Sequence, residues 1–263
     1  MSLTPVFKKS RKNTLQRNNL VLGNASSCIS RCAECTVSRA GLCGYLDLND
    51  FIKISADTDI KSLPAIRQVP NSDRHGEFAI LINGYVRVSH QRADGHRQVI
   101  NLVCPGELIE LSQQTEYFEI ESATDVQICN FQSGDISELL VESHRFRRVV
   151  LAARHRAADR LRNHVWALGA LRPAERIVLF MINSCGTMPW QALPCGGGIL
   201  TMQLARADIA AYLGTTVETL CRVIGKLDSA GMIRATDPRH FEIPDLGSLA
   251  RYGRVAHYVD KKL

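Results

Sequence analysis

The sequence predicts an α+β fold in which a β-rich front domain, a long helix and a mostly helical rear domain follow one another. Three observations support this prediction: short strand-like runs between about 52 and 131, an apolar stripe of helical period from Phe146 to Leu171, and a helix–turn–helix pattern from Arg206 to Gly231. We expect a flexible basic arm at 1–27, the front domain at 28–135, the long helix at 136–172 and the rear domain at 173–263.

Charge is distributed unevenly along the 263 residues. The arm carries five basic residues and no acidic one, and residues 28–135 hold 9 basic and 15 acidic residues. Basic residues outnumber acidic ones by 7 to 3 at 136–170 and by 11 to 8 at 171–263. An acidic front domain and a basic rear half predict that the rear half meets a polyanion such as nucleic acid, with a solvated charged surface as the alternative.

Several classes of protein are excluded by what the sequence lacks. No apolar run approaches the roughly 20 residues of a membrane span, and no secretory signal accompanies the nine cysteines, so we expect a cytoplasmic protein without membrane association. No phosphate-binding loop or dinucleotide fingerprint is present, and His75, His144 and His155 form no catalytic spacing. The protein is therefore predicted not to be an enzyme.

Turn residues divide the front domain into short strands. Asn83-Gly84 and Asp94-Gly95 stand between alternating apolar residues, a pattern typical of β-hairpins. Strands follow them at Tyr85–His90 and Gln98–Val103, and another is expected at Val126–Phe131. This regular spacing predicts a small β-sandwich or β-roll.

One long amphipathic helix is predicted between the two domains. Its apolar stripe begins with residues at spacings of 4, 3, 4 and 4: Phe146, Val150, Ala153, Ala157 and Leu161. Such a stripe packs either on its own domain or against a second copy of the chain.

The rear domain contains the pattern of a helix-turn-helix. Asp208–Leu213 is predicted as its first helix, Gly214 permits the turn, and Thr215 is expected to cap a second helix that ends at Gly231. The buried face of the second helix is predicted to comprise Val217, Leu220, Ile224 and Leu227. Two further runs, Met232–Ala235 and Phe241–Ile243, predict a β-hairpin wing beside it.

The outward face of the second helix carries Glu218, Cys221 and Arg222. An arginine can donate two hydrogen bonds to guanine, and a carboxylate can accept one from cytosine, so this face suits the major groove of DNA. Glu218 has a second interpretation, because Thr215-x-x-Glu218 also fits a capping box.

Four cysteines fall within 16 residues, spaced Cys28-x3-Cys32-x2-Cys35-x7-Cys43. Thiolates clustered in a polar segment are typical ligands of zinc or of iron–sulfur clusters. A closed zinc site made of all four cysteines is chemically reasonable, and a cubane cluster could also take a more distant fourth ligand.

The order of these elements and the stretch LTMQLARADIAAYLGTTVETLCRVIGKLDSAGMI resemble the CRP/FNR family of bacterial transcription regulators over nearly the whole chain. The resemblance implies a cyclic-nucleotide-binding-like β-roll, a long dimerisation helix that uses Phe146, Val150, Ala153, Ala157 and Leu161, and a C-terminal winged helix-turn-helix. The FNR branch reads Glu-x-x-Ser-Arg where this chain has Glu218-x-x-Cys221-Arg222, as in some FixK-type regulators. We therefore expect a homodimer on an inverted repeat of TTGAT that acts mainly as an activator with RNA polymerase.

The resemblance to the FnrN-type oxygen-sensing branch also implies a [4Fe-4S] cluster. Cys32, Cys35 and Cys43 match its N-terminal ligands, and Cys129 falls where its fourth ligand lies. The implied function is anaerobic regulation of transcription, with a cluster-free or zinc-containing FixK-like regulator as the alternative.

Cyclic-nucleotide binding is not expected in spite of the family resemblance. Gly106-Glu107-Leu108 is similar to the start of the family's nucleotide cassette. The stretch 118–122, however, offers Glu119 and Glu121 where a phosphate would need an arginine.

Overall fold

The computed structural model describes residues 32, 35–37, 42–45, 58–69, 78–95, 97–111, 117–131, 133–194 and 196–259. The predicted arm at 1–27, Cys28 and Cys195 lie outside these ranges. The chain divides into two compact units, one comprising Asn24–Leu171 with Gln203–Leu220 and the other comprising Arg172–Met202 with Cys221–Leu263. Within the described ranges, every helix is too short or too polar to cross a membrane.

The front unit contains the predicted β-roll, built from two antiparallel sheets with the orders β1-β7-β2-β5 and β4-β3-β6. A short 3-10 turn, Leu42–Tyr45, precedes the strands. The strands are β1 Asp59–Leu63, β2 Phe78–Asn83, β3 Val86–Gln91, β4 Arg97–Val103, β5 Leu108–Glu110, β6 Glu119–Ser122 and β7 Val126–Asn130.

Strand β2 is buried on both faces, which explains its continuous apolar run. Its Ala79 and Leu81 join an apolar cluster drawn from both sheets, together with residues such as Val86 and Ile120. Its Phe78, Ile80 and Ile82 instead belong to a second cluster, which we call the helix-side core: Val37, Phe78, Ile80, Ile82, Phe131, Leu139, Phe146 and Val150.

One of the two hairpin predictions is wrong. Strands β3 and β4 pair across Asp94-Gly95 as predicted, and Gly95 has a φ of +82°. Asn83-Gly84 does form a turn, but β2 pairs with β5 and β7 whereas β3 pairs with β4 and β6. The turn thus carries the chain from one sheet to the other. A Cβ atom on Gly84 would approach the Asp125 carbonyl oxygen to 2.1 Å, so this crossing requires glycine.

Two helices follow the β-roll: α1 Ser133–Glu142 and α2 His144–Ala170. The long helix predicted at 136–172 is α2, but its predicted start is wrong, because residues 136–142 belong to the separate helix α1 and Ser143 caps α2. It begins where the Ser143 hydroxyl accepts a hydrogen bond from the Phe146 backbone N–H at 3.1 Å, and it ends before Pro173, which starts the next helix.

The remaining elements complete the predicted winged helix-turn-helix. They are α3 Pro173–Ser184, β8 Trp190–Ala192, β9 Gly198–Thr201, α4 Arg206–Tyr212, α5 Val217–Ser229, β10 Arg234–Ala235, β11 His240–Ile243, α6 Leu246–Tyr252 and α7 Ala256–Val259. The wing hairpin of β10 and β11 is extended by β9 and β8 into a four-stranded sheet. Helices α6 and α7 were not predicted from the sequence.

The division into units differs from the predicted domain boundaries. Residues 173–263 were expected to form one DNA-binding domain, whereas Gln203–Leu220, with all of α4 and the first turn of α5, groups with the front unit. The physical reason is that α4 packs against β4 and its Asp208 is bound by arginines of the β-roll.

Candidate DNA-reading face and cysteine cluster

The second helix of the helix-turn-helix, α5, is capped one residue later than predicted. The Thr216 hydroxyl accepts a hydrogen bond from the Thr219 backbone N–H at 3.1 Å, as an N-cap residue does. The predicted cap at Thr215 is therefore wrong, and so is the capping box from Thr215 to Glu218. A capping box needs Glu or Gln three residues after the cap, and three residues after Thr216 the chain has Thr219. Glu218 is therefore not needed for the cap.

All three predicted DNA-reading side chains are exposed. Glu218 lies in the first turn of α5, and Cys221 and Arg222 lie one turn further along the helix. Residues three and four apart share a face of a helix, so these side chains form one continuous polar surface. A guanidinium, a carboxylate and a small thiol on this surface can reach the edges of base pairs.

The buried face of α5 is rotated slightly from the predicted one. Leu220, Val223 and Leu227 are buried, and Ile224 is half-buried. Val217, predicted as buried, is 42% exposed. Val217 is the first residue of the helix.

The wing is fixed by a carboxylate at its tip. Asp237 accepts hydrogen bonds from the backbone N–H groups of Arg239, at 2.7 Å, and His240, at 2.9 Å. These hydrogen bonds, with one to the His240 side chain, hold the pKa of Asp237 below its usual value. Arg234 and Arg239 are both exposed, so the wing presents two cations that can contact phosphates.

The structure brings the four predicted cluster ligands close to one another. Cys43 and Cys129 pack with Cys35 against the helix-side core, and all three thiols are half-buried, as is Cys32. Burial, with smaller contributions from the nearby Cys32 and Cys35, raises the pKa of Cys43 to about 12. Burial also raises the pKa of Cys129 to about 12, with Cys43, Cys32 and Cys35 contributing.

Within the described part of the chain, the four thiols are not arranged as the ligands of one metal site. Among the residues that the structure describes, no group of three or more histidine, cysteine or carboxylate side chains is placed to hold a metal ion. The donor set nevertheless suits a thiophilic group, because four thiols lie near one another and, among the described residues, no cationic side chain contributes to the pKa shifts of Cys43 and Cys129. The other described cysteines, Cys104, Cys185 and Cys221, do not contribute to the pKa shifts of these two thiols.

The predicted dimer residues divide into two groups. Phe146 is 1% exposed and Val150 is 5% exposed, because both pack into the helix-side core, and Ala153 packs against it. These three were predicted as interface residues and are instead covered by their own chain. Ala157 is half-buried and Leu161 is 43% exposed.

A second apolar stripe on α2 was missed from the sequence. Leu151, Ala158 and Val165 recur every seven residues, and all three are exposed. Leu151 and Val165 expose 62% and 60% of their surface, and Leu161 lies between these positions on the same side of the helix. Large apolar side chains that are exposed in a row mark a surface suited to another helix.

The acidic residues of the stretches compared with a nucleotide cassette form ion pairs with other residues of the same chain. The Glu107 carboxylate lies 2.8 Å from the Arg160 guanidinium of α2 and accepts a hydrogen bond from the Cys104 backbone N–H at 3.0 Å. Burial raises the pKa of Glu107, an effect that Arg160 opposes. Glu121 is likewise paired, at 3.0 Å from Arg87.

Sequence reasoning also missed a buried ion pair. Arg87 of β3 and Asp208 of α4 are 121 residues apart and lie 2.9 Å from each other. No spacing pattern in the sequence connects them.

Comparisons with known proteins agree with this architecture. Residues 175–252 match the family model described as a Crp-like helix-turn-helix domain. The chain is 30% identical over 161 residues to the nitrogen fixation regulation protein FixK of Rhizobium meliloti, covering 61% of this chain and 70% of that protein. It is 22% identical over 234 residues to the transcriptional activator protein FnrL of Cereibacter sphaeroides, covering 88% of this chain and 94% of that protein.

Solved structures confirm the fold. FixK2 from Bradyrhizobium japonicum matches with a TM-score of 0.65 at 19% identity, covering 74% of this chain and 96% of that chain. A CooA mutant from Carboxydothermus hydrogenoformans matches with a TM-score of 0.61 at 20% identity, covering 75% of this chain and 87% of that chain.

Proposed function

Since the chain belongs to the CRP/FNR family of transcription regulators, we propose that it is an oxygen-responsive activator that binds an inverted-repeat operator as a homodimer under the control of a [4Fe-4S] cluster. The coarser function, a DNA-binding transcription regulator and not an enzyme, follows from family membership. The names of two relatives, an activator and a nitrogen fixation regulator, support a role in switching on genes with RNA polymerase, including genes of nitrogen fixation.

The exposed face of α5 supports an operator with TTGAT half-sites. Arg222 is exposed, and Glu218 is exposed and not needed for the helix cap, so both are available to bases. In a dimer, two such helices would enter successive major grooves one helical turn apart. The arginines of the wing and of α2 would add contacts to phosphates, which makes the affinity sensitive to salt.

The observation that carries the oxygen-sensing proposal is that Cys35, Cys43 and Cys129 pack against the helix-side core and that Cys32 lies near Cys129. These four residues would hold the cluster. When bound, a [4Fe-4S] cluster supplies an oxygen-labile centre that requires all four thiols as thiolates. Because their pKa values are raised, the free thiols of Cys43 and Cys129 stay protonated at neutral pH, and loading releases protons.

The same core connects the cysteines to the dimer. Phe146 and Val150 anchor the first half of α2 in the helix-side core, against which the cysteines pack. The exposed stripe of Leu151, Ala158, Leu161 and Val165 follows directly on the same helix. Ligation of a cluster by these cysteines would therefore stabilise the part of α2 from which the interface extends.

Anaerobic purification with iron, acid-labile sulfide and zinc analysis tests this proposal. We expect four iron and four sulfide per chain, as in one cubane cluster, a brown colour, and loss of operator binding on exposure to air. A colourless protein that contains one zinc per chain, or no metal, and binds the operator in air would overturn the oxygen-sensing role. That outcome would favour the second candidate, a zinc-containing or cluster-free FixK-like regulator, which is supported by the 30% identity to the FixK protein of Rhizobium meliloti.

A further inference from the structure

We propose that Asp208 is a positioning residue for DNA reading, which holds α4, the first helix of the helix-turn-helix, on the β-roll through Arg87. The Arg87 Nη1 atom donates hydrogen bonds of 2.9 Å to both carboxylate oxygens of Asp208. The two side chains are only 4% and 3% exposed. The inference rests on DNA binding by this chain and not on the proposed cluster or half-site.

Two further charged residues complete the arrangement, which we call the arginine clamp: Arg87, Arg97, Glu121 and Asp208. Arg97 of β4 donates a third hydrogen bond to Asp208. Glu121 of β6 accepts a hydrogen bond from Arg87 Nε at 3.1 Å. Two cations and two anions thus neutralise one another, and the carboxylate of Asp208 is paired as a buried charge must be.

Asp208 has no local role that would explain its burial. It lies in the first turn of α4, where aspartate often caps a helix, but the N-cap of α4 is Ala205, which makes no side-chain cap. Its side chain instead reaches the β-roll. A buried ion pair contributes little to stability compared with apolar residues of the same volume, so its best-supported use is to fix one arrangement among several.

The other end of α4 is held as well. The Gln98 side-chain amide of β4 donates a hydrogen bond of 2.6 Å to the Ala211 carbonyl oxygen. The Tyr212 ring stacks on the His164 ring of α2, with 3.9 Å between ring centroids and 5° between planes. Helix α4 is therefore fixed at both ends, and not merely attached through one side chain.

We expect the arginine clamp to strengthen DNA binding and not to block it. Glu218, Cys221 and Arg222, the residues proposed to read DNA, are all exposed. Helix α5 begins five residues after α4 ends, and its first turn belongs to the same compact unit as the clamp. The clamp thus pre-organises the N-terminal end of the recognition helix, and without it that ordering must occur during binding and weakens affinity.

The test compares full-length variants on DNA that the wild-type protein itself selects from random duplexes, and on a scrambled duplex of equal length. We expect Asp208→Asn and Arg87→Gln each to raise the Kd for the selected duplex at least tenfold, about 1.4 kcal/mol. The Kd for the scrambled duplex should change less than threefold. A simple loss of folded protein would instead weaken binding to both duplexes by the same factor.

A double variant and a matched control complete the design. The double variant Arg87→Gln, Asp208→Asn should have a Kd no higher than that of the single variant with the higher Kd, because both substitutions break the same clamp. The control is Arg92→Gln with Asp94→Asn, an exposed pair in the hairpin between β3 and β4, and it should leave both affinities unchanged. If the buried variants fold poorly, Arg97→Gln at the half-exposed side of the clamp should still lower the selectivity for the selected duplex. Unchanged selectivity, additive losses or tighter binding in the clamp variants would overturn the proposal.

Discussion

The Thr216 hydroxyl accepts a hydrogen bond from the Thr219 backbone N–H at 3.1 Å, so Thr216, and not Thr215, is the N-cap residue of the recognition helix. Thr216→Ala should lower the free energy of unfolding by about 0.5–2 kcal/mol, because the exposed N–H group loses its partner. Thr215→Ala is the matched control and should change stability by less than about 0.5 kcal/mol. Thermal melting of the full-length variants measures both, and a larger effect at Thr215 would return the cap to that residue.

Arg222 is expected to carry much of the sequence specificity. Arg222→Ala should reduce the binding free energy for the operator by about 1–3 kcal/mol while the dimer remains intact. Lys226→Ala, one turn further along the same helix, is the control. If Lys226 contacts a phosphate, the loss of that contact would weaken binding to all sequences alike. Anisotropy titrations on operator and scrambled duplexes separate the two. Equal losses on both duplexes for Arg222→Ala would contradict a base contact.

The cysteine proposal predicts which thiols are needed for iron. Cys43→Ser and Cys129→Ser should each lose most of the iron and sulfide after anaerobic purification, because a cubane cluster needs four ligands. Cys185→Ser is the control: its thiol is half-buried and donates to the Met181 carbonyl oxygen, away from the four. Metal analysis of the three variants checks this expectation. Full iron content in Cys129→Ser would remove the strand cysteine from the ligand set.

The exposed stripe of α2 predicts where the dimer forms. Leu161→Glu and Val165→Glu should shift the dimer toward monomer in sedimentation experiments, because a charge would be buried at an apolar seam. Phe146→Ala should instead destabilise the fold by about 3–5 kcal/mol through a cavity in the helix-side core. The dimerisation constant of folded Phe146→Ala should stay within threefold of the wild type. Dimers that persist in both glutamate variants would place the interface elsewhere.

Local sequence patterns predicted most elements of the fold. The apolar stripe from Phe146 located the long helix, although its predicted start at 136 lies in the separate helix α1. The positive φ values of Gly95, Gly214 and Gly231 agree with the turns that were expected there. The error at Asn83-Gly84 shows the limit of such patterns. A turn dipeptide specifies a change of direction, whereas the partner of the next strand depends on packing of two sheets.

The same limit applies to the candidate site. The outward face of α5 follows from helical spacing alone, so Glu218, Cys221 and Arg222 could be predicted. The stripe from Phe146 could be read as packing on its own domain or on a second chain, and only the three-dimensional contacts decide between them. The pairing of Arg87 with Asp208 leaves no periodic trace, because it joins two single positions far apart in the chain.

The arginine clamp has a consequence for dissecting this protein into fragments. A fragment that begins at the conventional domain boundary near Arg172 would contain Asp208 without Arg87 or Arg97. Its carboxylate would then face water, and α4 would lose the contacts with the β-roll and α2 that hold both of its ends. We therefore expect an isolated rear fragment to bind DNA more weakly than the intact chain, even though it retains Glu218, Cys221 and Arg222, which are proposed to contact bases.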